Sequence, residues 1–203
     1  MSTRTQVAQR SVLASPLGVI LAGCIIALIG FGIRSSFGIF LEPMTTARGW
    51  DRETFALALA IQNLLWGAGL PIAGALADKW GPARVLAFGA IMYAAGIWGM
   101  AHAETGMALH MTGGVLTGLG VSFTAFSIAL AAMAKVVSPE RRSWSLGLGT
   151  AAGSLGQVIF SPMAQAFIAN FGWQDALFIL AATSLLIIPF ALSLPKGDLT
   201  DPA

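Results

Sequence analysis

Six apolar stretches, each long enough to cross a lipid bilayer, occupy almost all of this 203-residue chain. A bilayer core about 30 Å thick requires about 20 apolar residues per helix. The stretches are residues 17–41, 54–77, 84–101, 107–134, 143–168 and 174–194. Only 10% of the residues are charged, whereas soluble domains have about 25%. The sequence therefore predicts an all-α membrane protein with six transmembrane helices and little room for a soluble domain.

The positions of the basic residues predict how these helices are oriented, because cytoplasmic loops carry an excess of Lys and Arg. One side of the membrane would hold Arg4, Arg10, Lys79, Arg84, Lys135, Arg141, Arg142 and Lys196, and the other side only Arg48 and Arg52. We therefore expect a cytoplasmic N-terminus at 1–16, a bundle over 17–194 and a cytoplasmic tail at 195–203. We expect the protein to lie in a plasma membrane, specifically a bacterial inner membrane.

An internal repeat divides the bundle into two parts. Residues 71–81 align without a gap on residues 162–172, so that Pro71 matches Pro162 and Gly81 matches Gly172 at an offset of 91 positions. A unit of three helices has its two ends on opposite sides of the membrane, so two units in series are inverted relative to each other. The sequence predicts repeat one over 17–101 and repeat two over 107–194.

Polar side chains are concentrated in the first, second, fourth and fifth stretches. We expect these four helices to line a cavity and the third and sixth to face lipid. The alternative is that each Ser or Thr bonds back to the backbone of its own helix. The candidate substrate-binding residues are Arg34, Ser35, Gln62, Asn63, Thr117, Thr124, Gln157 and Ser161.

Arg34 is the strongest of these candidates, because a charge inside a membrane is costly and usually faces the bundle interior or a water-filled path. It shares a helix face with small residues at spacings of three and four, which indicates contact with protein rather than lipid. The alternative is that its side chain extends to the outer interface. Within the six stretches Asp or Glu occurs only at Asp175, the second residue of the sixth stretch. The expected counter-ion is therefore an anionic substrate, which a guanidinium can hold by two parallel hydrogen bonds.

The loop after the second stretch contains Gly74, Asp78, Lys79, Gly81 and Arg84. This pattern resembles the signature loop between the second and third helices of major facilitator superfamily transporters. The resemblance implies that the loop closes a cytoplasmic gate against the fifth helix of an opposite six-helix half. The glycines would permit a tight turn and close helix approach. The alternative is a plain turn whose basic residues only set the orientation.

The start of the fifth stretch supplies a candidate partner for this loop, formed by Ser138, Glu140 and Arg141. Ser138 is expected to cap the helix, Pro139 to occupy its first position, and Glu140 to favour the positive end of the helix dipole.

Within the superfamily the chain is most similar to the monocarboxylate and oxalate/formate transporter branch. The matching residues are 30–31, 37–41, 49–50, 141–142, 152–154, Pro162 and 171–173. The acidic and glycine-tryptophan motif that opens the first helix in animal members is missing. Transporters of this superfamily have twelve helices, so the fold that the resemblance implies here is half of a major facilitator fold.

Together these observations predict a half-transporter that moves a small organic anion, expected to be a carboxylate, by alternating access as a homodimer. The alternatives are a subunit that needs a different six-helix partner, a truncated half of a twelve-helix transporter, and a membrane scaffold without transport activity. We expect no enzymatic activity, no cofactor, no metal site and no nucleic-acid partner. The expected partners are the anion, the lipid bilayer and a second copy of the chain.

Overall fold

A computed structural model describes residues 16–194, apart from the side chains of residues 135 and 136, and all regular elements in that range are helical. The predicted cytoplasmic segments 1–16 and 195–203 lie, except for Pro16, outside the described residues. The long helices cover most of each of the six predicted stretches and several extend past their ends, so the all-α membrane fold is confirmed.

The helices group into six spans that run back and forth in chain order. Span one comprises α1 (Pro16–Ser36), a 3-10 turn (Phe37–Phe40) and α2 (Leu41–Arg48), span two is α3 (Arg52–Trp80), and span three is α4 (Pro82–His102). Span four comprises α5 (Gly106–Leu109), a π-helical segment (His110–Leu116), α6 (Thr117–Phe123) and α7 (Phe126–Val136). After a 3-10 turn (Pro139–Arg141), span five is α8 (Arg142–Phe171), and span six comprises α9 (Trp173–Leu185) and α10 (Ile187–Leu192).

Five of these spans are both long enough and apolar enough to cross a membrane. Span five is 30 residues long, but its glycines, serines and glutamines lower its mean hydropathy. It therefore meets the requirement by length alone.

Close backbone contacts join span one to span five and span two to span four. A Cβ atom at Gly156 would overlap the carbonyl oxygen of Leu28, and one at Gly118 would lie 2.7 Å from the carbonyl oxygen of Gln62. Small residues permit this approach, which supplies packing contacts that lipid cannot. Span three packs mainly against spans four and six.

The two segments that align in the sequence have the same local structure. Pro71 and Pro162 both lie inside a long helix, and each helix ends at a glycine with φ +85°. The backbone N–H groups of Gly81 and Gly172 each donate to the carbonyl four residues earlier at 3.0 Å. Glycine adopts this left-handed region without steric cost. The division into repeats at 17–101 and 107–194 remains a prediction.

Candidate functional site

A cavity of about 170 Å³ lies between spans one, two and four. Its walls are Ile26, Ala27, Gly30, Phe31 and Arg34 from span one, Trp66 and Leu70 from span two, and Val121, Thr124, Ala125, Phe126 and Ser127 from span four. Three of the four spans expected to line a cavity therefore do so. Span five does not contribute to this wall.

Arg34 is held at the cavity wall by two side chains of span two. Its Nη2 donates to Asn63 Oδ1 at 2.5 Å, and its guanidinium carbon lies 4.1 Å from the centre of the Trp66 ring. Asn63 and Trp66 are three residues apart and therefore share a helix face. Asn63 Nδ2 in turn donates to the carbonyl of Leu59 at 2.8 Å, which fixes the orientation of the amide.

The charge of Arg34 is not neutralised within the described part of the chain. Its hydrogen-bond partner is an amide and its ring partner is an indole, and both groups are neutral. No carboxylate forms an ion pair with it among residues 16–194. The side chain is half-buried, so a positive charge with neutral protein partners faces a cavity that is otherwise largely apolar.

Span four is broken where it lines the cavity. Thr124 has φ −93° and ψ 19°, and Ala125 has φ −57° and ψ 133°, so the helix stops at Phe123 and α7 starts at Phe126. Ala125 has no side-chain oxygen to cap α7, and the first N–H groups of a helix lack intrahelical partners. The positive end of the α7 dipole therefore lies in the wall that also contains Arg34.

Ser35 and Thr117 are hydrogen-bonded to the backbone of their own helices, as the alternative interpretation of the polar residues requires. The Ser35 hydroxyl donates to the carbonyl of Gly32 at 2.8 Å, and the Thr117 hydroxyl donates to that of Thr112 at 2.9 Å. Thr117 is fully buried against Gly96. Neither residue lines the cavity, because helix packing determines where their side chains point.

The remaining candidates are divided between the cavity and other surfaces. Thr124 lines the cavity and donates to the carbonyl of Gly120 at 2.9 Å. Gln62 is buried beside the cavity without lining it. Gln157 is exposed and Ser161 is half-buried, both on span five. The structure therefore brings Arg34, Asn63 and Thr124 towards one cavity and leaves the span-five candidates apart.

The exposed faces of the spans differ in character. Span three exposes Phe88, Ile91 and Trp98, and span six exposes leucines, both as expected for contact with lipid. A smaller share of span two is buried within the described structure than of spans one, three and four. The exposed residues of spans two and five mix large apolar side chains, such as Leu64 and Val158, with many small and polar ones: Ala60, Asn63, Gly67, Ala68, Ala75, Thr150, Ala151, Ser154, Gln157 and Gln165.

The predicted gate loop contains the tight turn but not the close helix approach expected at Gly74. Gly81 supplies the turn with its positive φ. A Cβ at Gly74 would meet nothing within 4 Å, so within this chain no neighbour requires glycine there. Asp78 is half-buried and forms no ion pair within the described range, and Lys79 and Arg84 are exposed. The role of the loop as a gate remains a prediction.

The expected gate partner is a 3-10 turn whose residues Ser138, Glu140 and Arg141 are all exposed. Pro139 occupies the first position of the turn, as predicted, but the Ser138 side chain makes no capping hydrogen bond. The Ser138 hydroxyl instead faces the carboxylate of Glu140, and its hydrogen bond holds the pKa of Glu140 below the usual value. The expectation that Ser138 caps span five is wrong, because the 3-10 turn over Pro139–Arg141 separates Ser138 from the start of α8 at Arg142.

Trp66 and Ser127 are cavity residues that the polar pattern did not select. Trp66 lies three positions after Asn63, which is a signal that it shares a face with that residue. Ser127 is one of many serines and threonines in these helices, and nothing in the local sequence shows that α7 begins beside it. Its position depends on the break at Thr124 and Ala125.

Comparison with known proteins identifies the family. The sequence model of the family described as "Major Facilitator Superfamily" matches residues 20–202. Monocarboxylate transporter 13 of Rattus norvegicus is 28% identical over 183 residues, covering 90% of this chain and 42% of that protein. Monocarboxylate transporter 11 of Homo sapiens is 29% identical over 187 residues, covering 88% of this chain and 38% of that protein. The chain thus spans less than half the length of these relatives.

Solved structures show the same fold. The inward-open xylose transporter XylE from E. coli superposes with a TM-score of 0.74 at 12% identity, over 90% of this chain and 49% of that one. A peptide transporter, POT, gives a TM-score of 0.71 at 17% identity, over 91% and 39%. The predicted resemblance to the monocarboxylate branch is confirmed, and the chain belongs to the Major Facilitator Superfamily.

Proposed function

We propose that this chain transports a small organic anion, a carboxylate, by alternating access as a homodimer of six-helix halves. The observation that carries the proposal is Arg34, a positive charge at the wall of a membrane cavity whose protein partners are neutral. Charges in a membrane mark ion or substrate paths, and a guanidinium matches the geometry of a carboxylate.

The composition of the cavity favours a small anion. The α7 N-terminus adds a partial positive charge to the same wall, an arrangement that transporters use to bind anionic groups. Thr124 and Ser127 add hydroxyls, while the remaining wall is mostly apolar. A volume of about 170 Å³ is close to the roughly 150 Å³ that holds benzene. The relatives named monocarboxylate transporters support a carboxylate over other anions of this size.

The homodimer is supported by the exposed faces of spans two and five. Their small and polar residues suit contact with protein better than with lipid chains. Among residues 16–194 Asp78 has no ion-pair partner, and the space beside Gly74 is open. We propose that Asp78 of each copy approaches the turn of the other copy that carries Ser138, Glu140 and Arg141, with Arg141 as its oppositely charged partner, closing the cytoplasmic gate.

A second candidate is that the opposite half is a different polypeptide, or a further segment of a longer chain. The relatives, which are more than twice as long as the matched region, favour this candidate. It keeps the same substrate site and gate, and differs only in what covers spans two and five. A scaffold without transport activity would leave Arg34 with a purely structural role.

Counterflow into proteoliposomes tests the proposal with a panel of small labelled carboxylates. Arg34→Gln removes charge-assisted hydrogen bonds worth about 1.5–3 kcal/mol, so we expect affinity to fall by roughly 10- to 150-fold. Arg52→Gln is the matched control, because Arg52 is exposed at the start of span two. Unchanged uptake by Arg34→Gln would refute the role of Arg34.

Native mass spectrometry in lipid nanodiscs tests the assembly. We expect two copies per particle under conditions that support counterflow. A monomer with intact transport would refute the homodimer and leave the substrate site unaffected.

A further inference from the structure

The cavity has a cationic end and an apolar end. Along span one its wall runs from Arg34 to Ile26, a rise of about 12 Å. Span two runs in the opposite direction to span one, and its Trp66 contacts the Arg34 guanidinium. Leu70, about one turn further along span two, therefore lies towards Ile26. A carboxylate held at Arg34 would thus extend its hydrocarbon chain between apolar side chains.

Two phenylalanines form part of this apolar wall. Phe31 of span one and Phe126 of span four both line the cavity, and their rings meet edge-on with centres 5.6 Å apart. Aromatic pairs favour this geometry, which stabilises them beyond the area that they bury. Phe31 lies about one turn from Arg34, or about 4.5 Å along the helix axis. The pair therefore joins spans one and four at the level where the hydrocarbon chain of a bound carboxylate begins to pass.

Span five supports the Phe31 ring. A Cβ at Gly153 would lie 3.2 Å from Cδ2 of Phe31, and its next two nearest atoms, Cγ and Cε2, belong to the same ring. Gly153 is buried and does not line the cavity, so the Phe31 ring separates it from the cavity. Gly149, one turn earlier, lies beside Phe126 in a similar way, since its Cβ would be 3.4 Å from Cε2 of that ring. A larger residue at position 153 would therefore push the Phe31 ring away from span five.

We propose that Phe31 and Phe126 determine substrate specificity by setting the longest hydrocarbon chain that the transported carboxylate can carry. This inference rests on the proposed function. Each methylene that is buried against the apolar wall raises affinity about fourfold, until the chain meets the two rings. A longer chain must displace an aromatic pair that is packed against span five, and close-packed protein resists such displacement.

The test measures the binding of straight-chain carboxylates from acetate to heptanoate by isothermal titration calorimetry on the full chain in lipid nanodiscs. In the wild-type chain we expect affinity to rise about fourfold per methylene and to stop rising at one chain length. Phe31→Leu and Phe126→Leu replace a ring by a smaller side chain and should move this limit to a longer acid. Gly153→Ala should lower the affinity for acids at the limit by up to about fourfold. The affinity for acetate should stay unchanged in all three variants.

Phe88→Leu is the matched control. The rings of Phe88 and Phe123 also meet edge-on, with centres 5.7 Å apart. Phe88 is exposed on span three, however, and neither residue lines the cavity. This variant loses the same kind of aromatic pair and should keep the wild-type limit.

An affinity that rises to heptanoate without a limit in the wild-type chain would overturn the role of the aromatic pair, without affecting the proposed function. A limit that Phe31→Leu and Phe126→Leu leave in place would do the same. An equal loss of affinity for every acid in Phe31→Leu, acetate included, would also overturn it, since Phe31 would then act by positioning Arg34. If Phe31→Leu does not fold, Phe126→Leu and Gly153→Ala must still change the affinity for acids at the limit in opposite directions. Failure of every acid to bind would overturn this inference and the proposed function together.

Discussion

The contact between spans one and five predicts opposite effects for two glycine-to-alanine substitutions in the same helix. A Cβ at Gly156 would overlap the carbonyl oxygen of Leu28, a backbone atom that cannot move without separating the two spans. Overpacking costs about 1–3 kcal/mol, offset by up to about 1 kcal/mol because alanine favours a helix over glycine. With the full offset, the net loss of up to about 2 kcal/mol should lower Tm by up to roughly 8 °C.

Gly147 provides the matched control. It lies in the same helix, but a Cβ there would meet nothing within 4 Å. Gly147→Ala should therefore gain up to about 1 kcal/mol and raise Tm by roughly 2–4 °C. Thermal unfolding followed by tryptophan fluorescence in one detergent measures both variants. Shifts of the same sign, or stabilisation by Gly156→Ala, would show that backbone contact does not hold these spans together.

Three further predictions concern the turn, the gate and the cavity. Ser138→Ala should return the pKa of Glu140 towards its usual value, which NMR of labelled glutamate would detect. Because the pKa of Glu140 is lowered in the folded state, this residue contributes stability above its ordinary pKa, and the contribution is lost as the pH falls. In a Cys24→Ser background, Asp78→Cys in one copy and Ser138→Cys in another should form a disulfide between copies, and copurification without crosslinking would contradict the proposed gate. Trp66→Leu removes a cation–π contact worth about 0.5–2 kcal/mol, so carboxylate affinity should fall by roughly 2- to 30-fold in the counterflow assay, and unchanged affinity would contradict the role of Trp66.

The parts of the fold that the sequence predicts are those governed by local rules. Membrane thickness sets the lengths of the spans, and the turns at Gly81 and Gly172 follow from the need for positive φ. Arg34 could be identified because few other residues carry such a large cost in a membrane. Each of these signals resides in one segment and does not depend on its neighbours.

The break in span four illustrates what the sequence does not predict. Neither Thr124 nor Ala125 is a glycine or proline, so no local signal marks the end of α6. Span three approaches span four closely at this point, where a Cβ at Gly89 would lie 2.5 Å from the carbonyl carbon of Phe123. Because such a contact joins segments that are distant in the sequence, the position of Ser127 in the cavity was not predictable. The same reasoning applies to Thr117, whose side chain is directed by contact with Gly96.

The low hydropathy of span five has a consequence for how this protein is made. A segment enters the bilayer from the translocon according to its own transfer free energy. The glutamines and serines of span five make this step unfavourable when span five inserts on its own. Its partner, span one, is the most apolar of the five spans that are apolar enough to cross a membrane. We expect span one to remain near the translocon until span five emerges, so that the two enter the lipid together through the contact at Gly156. Biogenesis would then depend on the same glycine that fixes the folded packing.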